Sequence, residues 1–146
     1  MNILVKKKLV SLFIVLTCFI CFHVTPSHSK ICSYNWNVAI YNGIPDSTIG
    51  LHVKSKDDDL GEHYIAYGEH FYFHFCENIF RRTVFAGDFS HGPQFAHFNV
   101  FDDEVAGVIG RSKDSHVYWL LKGDGYYLSK ELKPVDDPSW IKRGNW

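Results

Sequence analysis

From residue 36 onward, apolar and polar positions alternate with a period of two, the spacing of strands with one face buried. Trp36, Val38 and Ile40 share a face, and Asn42-Gly43 closes their segment with a turn signal. Leu51 and Val53 alternate next. Beyond a run of aspartates, Tyr64 and Ala66 face one way and His63, Ile65 and Tyr67 the other, up to a turn at Gly68-Glu69. The clearest strand is His70 to Cys76, with Phe71, Phe73 and Phe75 on one side and Tyr72, His74 and Cys76 on the other. After a connection over Asn78 to Arg82, Phe85 and Phe89 align with Gly87 between them, where a glycine marks a bulge or a crowded face. Ser90 to Gln94 reads as a turn, Phe95 to Phe101 as a strand, and Asp102 to Ser115 as a long loop or ragged edge strand. His116 to Lys122, the hairpin turn Gly123-Asp124-Gly125 and Tyr126-Tyr127-Leu128 follow. No segment keeps helical spacing over three turns. Some eight short strands at intervals of about ten residues predict an all-β protein. The expected fold is a single small antiparallel β-sandwich, immunoglobulin-like in general architecture, with large rings between its sheets.

The best-marked turn is Lys54-Ser55-Lys56-Asp57-Asp58-Asp59-Leu60-Gly61. Three adjacent carboxylates repel one another and cannot be buried unpaired, so they predict a solvated loop, with Lys54 and Lys56 as the nearest counter-charges. Gly61 lets the chain leave the turn. A calcium loop spaces its oxygen ligands at alternate positions and ends on a distant glutamate; here the carboxylates are adjacent and Glu62 is too near. No metal is expected.

Composition changes the picture mainly at the N-terminus. Lys6, Lys7 and Lys8, the apolar run Leu9 to Val24, then Pro26, Ser27 and Ser29 form the pattern of a signal peptide cut after Ser29. The apolar run is shorter than the roughly 20 residues a bilayer-spanning helix needs. The expected division is 1–29 as signal peptide, 30–132 as the sandwich, and 133–146 as a C-terminal tail, either disordered or strapped down by Trp140 and Trp146. With the leader removed, 12 basic residues face 16 acidic ones, a balance of −4, which argues against nucleic acid or anionic membrane as a partner. Seven histidines remain, an unusual load whose protonation would reverse that sign. Outside the leader the cysteines are Cys32 and Cys76, which either form a disulfide in an oxidising compartment or stay as two thiols.

Catalytic chemistry is not evident. Asp88, Ser90 and His91 are chain neighbours, which rarely make a triad, and no nucleophile elbow is present. A Cys76–His74 nucleophile is conceivable from their shared strand face, but in a secreted chain Cys76 reads first as structural. His70 and His74 on one strand stand about 13 Å apart, too far to share a zinc ion. No cofactor motif is found, and the chain reads as a non-enzymatic binding module.

These residues resemble the plant self-incompatibility protein family, the S-protein homologues. The resemblance runs through Leu51-His52 and Ser55-Lys56-Asp57-Asp58-Asp59-Leu60-Gly61, the aromatic strand ending in Asn78 and Phe80, Thr83-x-Phe85 with Phe89, and Trp119 before Asp124-Gly125-Tyr126. It implies a small secreted β-sandwich acting as an extracellular ligand in cell–cell signalling. In the family's founding case a stigma-borne protein is recognised by incompatible pollen and growth is arrested. No enzymatic activity or cofactor is implied, and the implied partner is an unidentified cell-surface receptor. Candidate receptor-facing residues are Asp57, Asp58 and Asp59 in one loop and Gly123 and Asp124 in another. The family pattern also implies cysteines where this chain has Val53, Gly87 and the Ser115-His116-Val117 stretch. A rival reading is an extracellular carbohydrate-binding module using Tyr67 and Tyr72 as an exposed platform.

Overall fold

The computed structural model describes residue 3 and residues 32–77 and 82–146. The expected signal peptide, residues 1–29, lies outside the described residues but for residue 3. So does the expected connection Asn78 to Arg82, but for Arg82, and with it the Asn78 and Phe80 of the resemblance. In chain order the elements are β1 (Tyr34–Asn42), β2 (Thr48–Lys54), β3 (Asp59–Ala66), β4 (His70–Glu77), β5 (Phe85–His91), β6 (Gln94–Phe101), a helix α1 (Asp103–Ile109), β7 (Asp114–Lys122), β8 (Gly125–Ser129) and β9 (Ile141–Gly144). They form a five-stranded sheet in the order β4-β1-β7-β8-β9 and a four-stranded sheet in the order β3-β2-β5-β6.

The alternation read from the sequence is the alternation of burial. Trp36, Val38 and Ile40 from β1, Val117, Trp119 and Leu121 from β7, and Phe73 from β4 face Leu51, Val53, Phe89 and Val100 from the opposite sheet. The core is an aromatic mesh, with Phe75 against Phe85 at 4.8 Å and Phe98 stacked on Tyr126 at 3.9 Å between ring centroids. Both fully buried indoles are satisfied: Trp119 Nε1 donates to the Val100 carbonyl at 2.9 Å, and Trp36 Nε1 to the Glu77 carboxylate at 3.0 Å. Asn42 ties one end of the sandwich: its amide donates to the Ser47 and Ile65 carbonyls and its side-chain oxygen accepts from Ile44 N–H.

Gly87 sits on the crowded face. A Cβ there would come within 2.5 Å of the Phe89 ring and 3.2 Å of Val100. Val53 and Gly87 are directly opposed across β2 and β5. Two positions where the resemblance implies cysteine thus face each other in the core, and here the Phe89 ring fills the space beside Gly87. Cys32 and Cys76 are joined on the outer side of the β1–β4 edge, Cα to Cα 5.4 Å.

Three features differ from the expected pattern. β1 and β7 run parallel, whereas the other described strand pairs are antiparallel. The polar stretch after Asp102 contains a helix rather than a loop or strand. Asp102 caps it, accepting from Val105 N–H, and seven residues are too few to display a helical period. The segment from residue 133 adds a strand, β9, to the five-stranded sheet, while its two tryptophans are anchored as in the strap alternative, Trp140 on the Pro134 carbonyl and Trp146 on that of Lys122.

Candidate functional site

The Asp57–Asp59 loop closes β2 onto β3. Its shape comes from Ser55, whose hydroxyl accepts from Asp57 N–H at 3.2 Å and Asp58 N–H at 2.9 Å, while Ser55 N–H donates to the Asp58 carbonyl at 2.7 Å. A serine before a turn mimics a backbone carbonyl and holds the tip without a core. Asp57 and Asp58 stay exposed to water. Asp59 turns back onto the sheet, accepting from Gly61 N–H at 2.9 Å and from His52 Nε2 at 2.6 Å. The Gly61 amide and then the His52 ring hold its carboxyl below the usual carboxylate range. Gly61 takes φ +80° where the β2–β3 register slips, so its freedom serves a bulge rather than the loop tip. The expected counter-charges were Lys54 and Lys56, yet His52 is the side chain that reaches Asp59. His52 and Asp59 are neighbours only once the two strands pair, and alternation with Leu51 and Val53 was the available sign that His52 faces outward.

Gly123 and Asp124 form the two-residue turn from β7 to β8. Asp124 accepts from the Tyr127 hydroxyl at 2.5 Å and from Lys142 Nζ at 3.2 Å, which together hold its carboxyl low and the Lys142 amine high. The ammonium groups of Lys122 and Lys142 lie 5.0 and 5.7 Å from the Tyr127 ring centre. Lys142 comes from β9, which adjacency in sequence could not reveal.

The structure does not bring the two loops together. β5 starts beside Lys54 at the aspartate end and finishes at His91. His91 packs on Trp146, and Trp146 bonds to Lys122 beside the Gly123-Asp124 turn. The loops therefore cap opposite ends of the sandwich.

The hydrolytic arrangements considered from sequence are not assembled. Asp88 accepts from His97 Nδ1 at 2.6 Å, His91 pairs with Gln94 at 3.2 Å, and the Ser90 hydroxyl points to the Gly50 carbonyl at 3.5 Å. Cys76, bonded to Cys32, offers no thiol to His74. Among the described residues no cluster of three or more His, Cys, Asp or Glu side chains could hold a metal ion, and no helix is long and apolar enough to cross a membrane. Tyr72 lies on the outer face of β4 with its hydroxyl donating to Asn37 at 2.6 Å, and Tyr67 lies in the β3–β4 turn; both are about half exposed.

A model of the plant self-incompatibility protein S1 family matches residues 37–146. Among characterised sequences, the chain is 34% identical to S-protein homolog 1 of Arabidopsis thaliana over 94 residues, 64% of this chain and 62% of that protein. It is 32% identical to S-protein homolog 29 of the same plant over 127 residues, covering 84% and 89% of the two chains. With S-protein homolog 3 it shares 37% over 102 residues, 66% of this chain and 68% of that one. The chain thus spans under two thirds of S-protein homolog 1 and most of S-protein homolog 29. No solved structure matches it.

Proposed function

The chain belongs to the plant self-incompatibility protein S1 family, and from that premise we propose that it is a secreted, non-enzymatic ligand in cell–cell recognition, read by a cell-surface receptor. The observation that carries this reading is the loop at Asp57 and Asp58. Two carboxylates with no ion-pair partner among the described residues project into water on a tip braced by Ser55, at the end of the β2–β3 hairpin. A charged tip held by its own backbone loses little entropy on docking, which favours recognition of a basic receptor surface. Secretion is supported by the leader pattern of residues 1–29. The Gly123-Asp124 turn, at the other end with its carboxylate already bonded, is the second-ranked surface.

The test is binding of the purified, labelled protein to the surface of plant cells that respond to it, with the processed N-terminus read by mass. A start at Lys30 and saturable binding, weakened by Asp57→Ala with Asp58→Ala but not by Asp124→Ala, is the expected result. Retention of residues 1–29 in the exported protein, or equal binding by both variants, would sink the assignment.

A further inference from the structure

The outer face of the four-stranded sheet carries a feature that the receptor-ligand reading leaves unused. Cross-strand pairing sets Tyr64, Gly50, Ser90 and Phe95 in one row over β3, β2, β5 and β6. The adjacent row reads Glu62, His52, Asp88 and His97. Tyr64 and Phe95 are 73% and 60% exposed, unusual for large rings on a folded surface. Between them the floor is a glycine: a Cβ at Gly50 would meet the Ser90 hydroxyl at 2.8 Å and the Tyr64 ring at 3.3 Å. The result is an open groove of about 360 Å³, lined by the first row, by Glu62, His52 and Asp88 of the second, and by Leu51, His63 and Phe89 beneath them, with His97 at its margin as the partner of Asp88. That volume falls within the range of roughly 300–1,000 Å³ usual for ligand sites.

We propose that this groove binds a neutral oligosaccharide of pyranose units, lying across the strands. Rings at the two ends of the row offer apolar faces to the C–H faces of sugar rings, and the second row offers the hydroxyls partners. Carboxylates accept only, imidazoles donate or accept, and Ser90 does both, the mixed set that sugar hydroxyls need. Asp88 and His97 hold each other at 2.6 Å, and His52 is fixed by Asp59, so the polar row is organised before any ligand arrives. None of the lining residues is a lysine or arginine, while Glu62 and Asp88 are among them, so an anionic sugar chain is disfavoured. Three interstrand gaps separate the β3 and β6 backbones, about 14 Å, so the row between them has room for a short chain rather than a single sugar. The site differs from a platform of Tyr67 and Tyr72, which belong to the β3–β4 turn and the other sheet.

The experiment is a nuclear magnetic resonance titration of the isotope-labelled protein with cellohexaose, xylohexaose and mannohexaose, and with hexagalacturonate as the charged comparison. At least one neutral hexasaccharide is expected to shift the amides of Gly50 and Ser90. Tyr64→Ala and Phe95→Ala should each weaken it by roughly tenfold or more, the scale of removing one anchoring aromatic. Both side chains are exposed, so the variants should keep the wild-type spectrum elsewhere, and Tyr64→Phe should retain binding. Tyr72→Ala and the Asp57→Ala, Asp58→Ala pair should bind as wild type, which separates this site from the receptor loop. Absence of binding by all three neutral sugars at millimolar concentration, shifts confined to another face, or preference for hexagalacturonate overturns the proposal.

Discussion

Replacing Glu77 tests how the core tolerates a carboxylate. The side chain is about 5% exposed, its Oε2 accepts from Trp36 Nε1 at 3.0 Å, and Arg111 Nε stands 3.6 Å away. Trp36 is fully buried, so Glu77→Ala leaves its N–H with no route to water, a penalty of about 1–3 kcal/mol. Arg111 is more than a third exposed and already bonded to Asp103 at 2.7 Å, so losing its weak contact with Glu77 adds no more than about 1 kcal/mol. The expected loss is about 1–4 kcal/mol. Glu77→Gln keeps an acceptor for the indole and should cost about 1 kcal/mol, the charge contribution alone. Urea unfolding at neutral pH, followed by near-ultraviolet circular dichroism, reads both; with a slope of about 2 kcal/mol per molar, Glu77→Ala should lower the midpoint by about 0.5–2 M. In a double-mutant cycle with Trp36→Phe, most of the Glu77→Ala cost should disappear, because no donor is left stranded. A Glu77→Ala variant within about 0.5 kcal/mol of wild type, or a Glu77→Gln variant as costly as Glu77→Ala, refutes the role of the indole bond. The second outcome would place the stabilisation in the ion pair instead of the indole bond.

Other predictions rest on separate features. We propose that the Cys32–Cys76 bond, closing a span of 44 residues, stands in for the cross-links whose family positions are empty here; chain-entropy arguments put its contribution near 4 kcal/mol. Reductant, or Cys32→Ser with Cys76→Ser, should then lower the urea midpoint by about 1 M or more, and an unchanged midpoint rules that role out. Gly87→Ala should destabilise by about 1–3 kcal/mol, because Phe89 is fully buried and cannot swing clear of a new methyl 2.5 Å from its ring; calorimetry with no fall in Tm contradicts this. Asp59 has a folded pKa below its unfolded value. Its stabilisation is therefore present above the ordinary carboxylate pKa of about 4 and lost as pH falls through the folded value. Asp59→Asn should make stability less steep in pH below about 4, as read by thermal melts across that range.

Much of the fold was legible because a strand writes its burial into every second residue. Phe71, Phe73 and Phe75 announced the inner face of β4, and Gly87 announced a crowded spot, both from local spacing. The aspartate loop was equally plain, since three adjacent carboxylates have nowhere to go but water. Helix α1 escaped notice because two turns give a period no chance to show, and its one sign was Asp102 capping from outside. The parallel pairing of β1 with β7 is also out of reach, because strands about 80 residues apart carry no mark of which neighbour they will choose or in which direction.

The candidate surfaces divide in the same way. Spacing along the chain is enough to place β1 to β8 though not β9, to say which of their side chains face the core, and to mark Asp57 to Asp59 and Gly123-Asp124 as exposed turns. Only the tertiary structure decided that these turns cap opposite ends, that His52 rather than a lysine meets Asp59, that Lys142 reaches Asp124, and that Tyr64, Gly50, Ser90 and Phe95 stand in one row. The physical reason is register. Alternation depends on each strand and the water beside it, whereas a row across a sheet depends on how separate strands slide against one another. That choice is made by the packing of the whole core, where a slip of one residue would turn every buried ring outward.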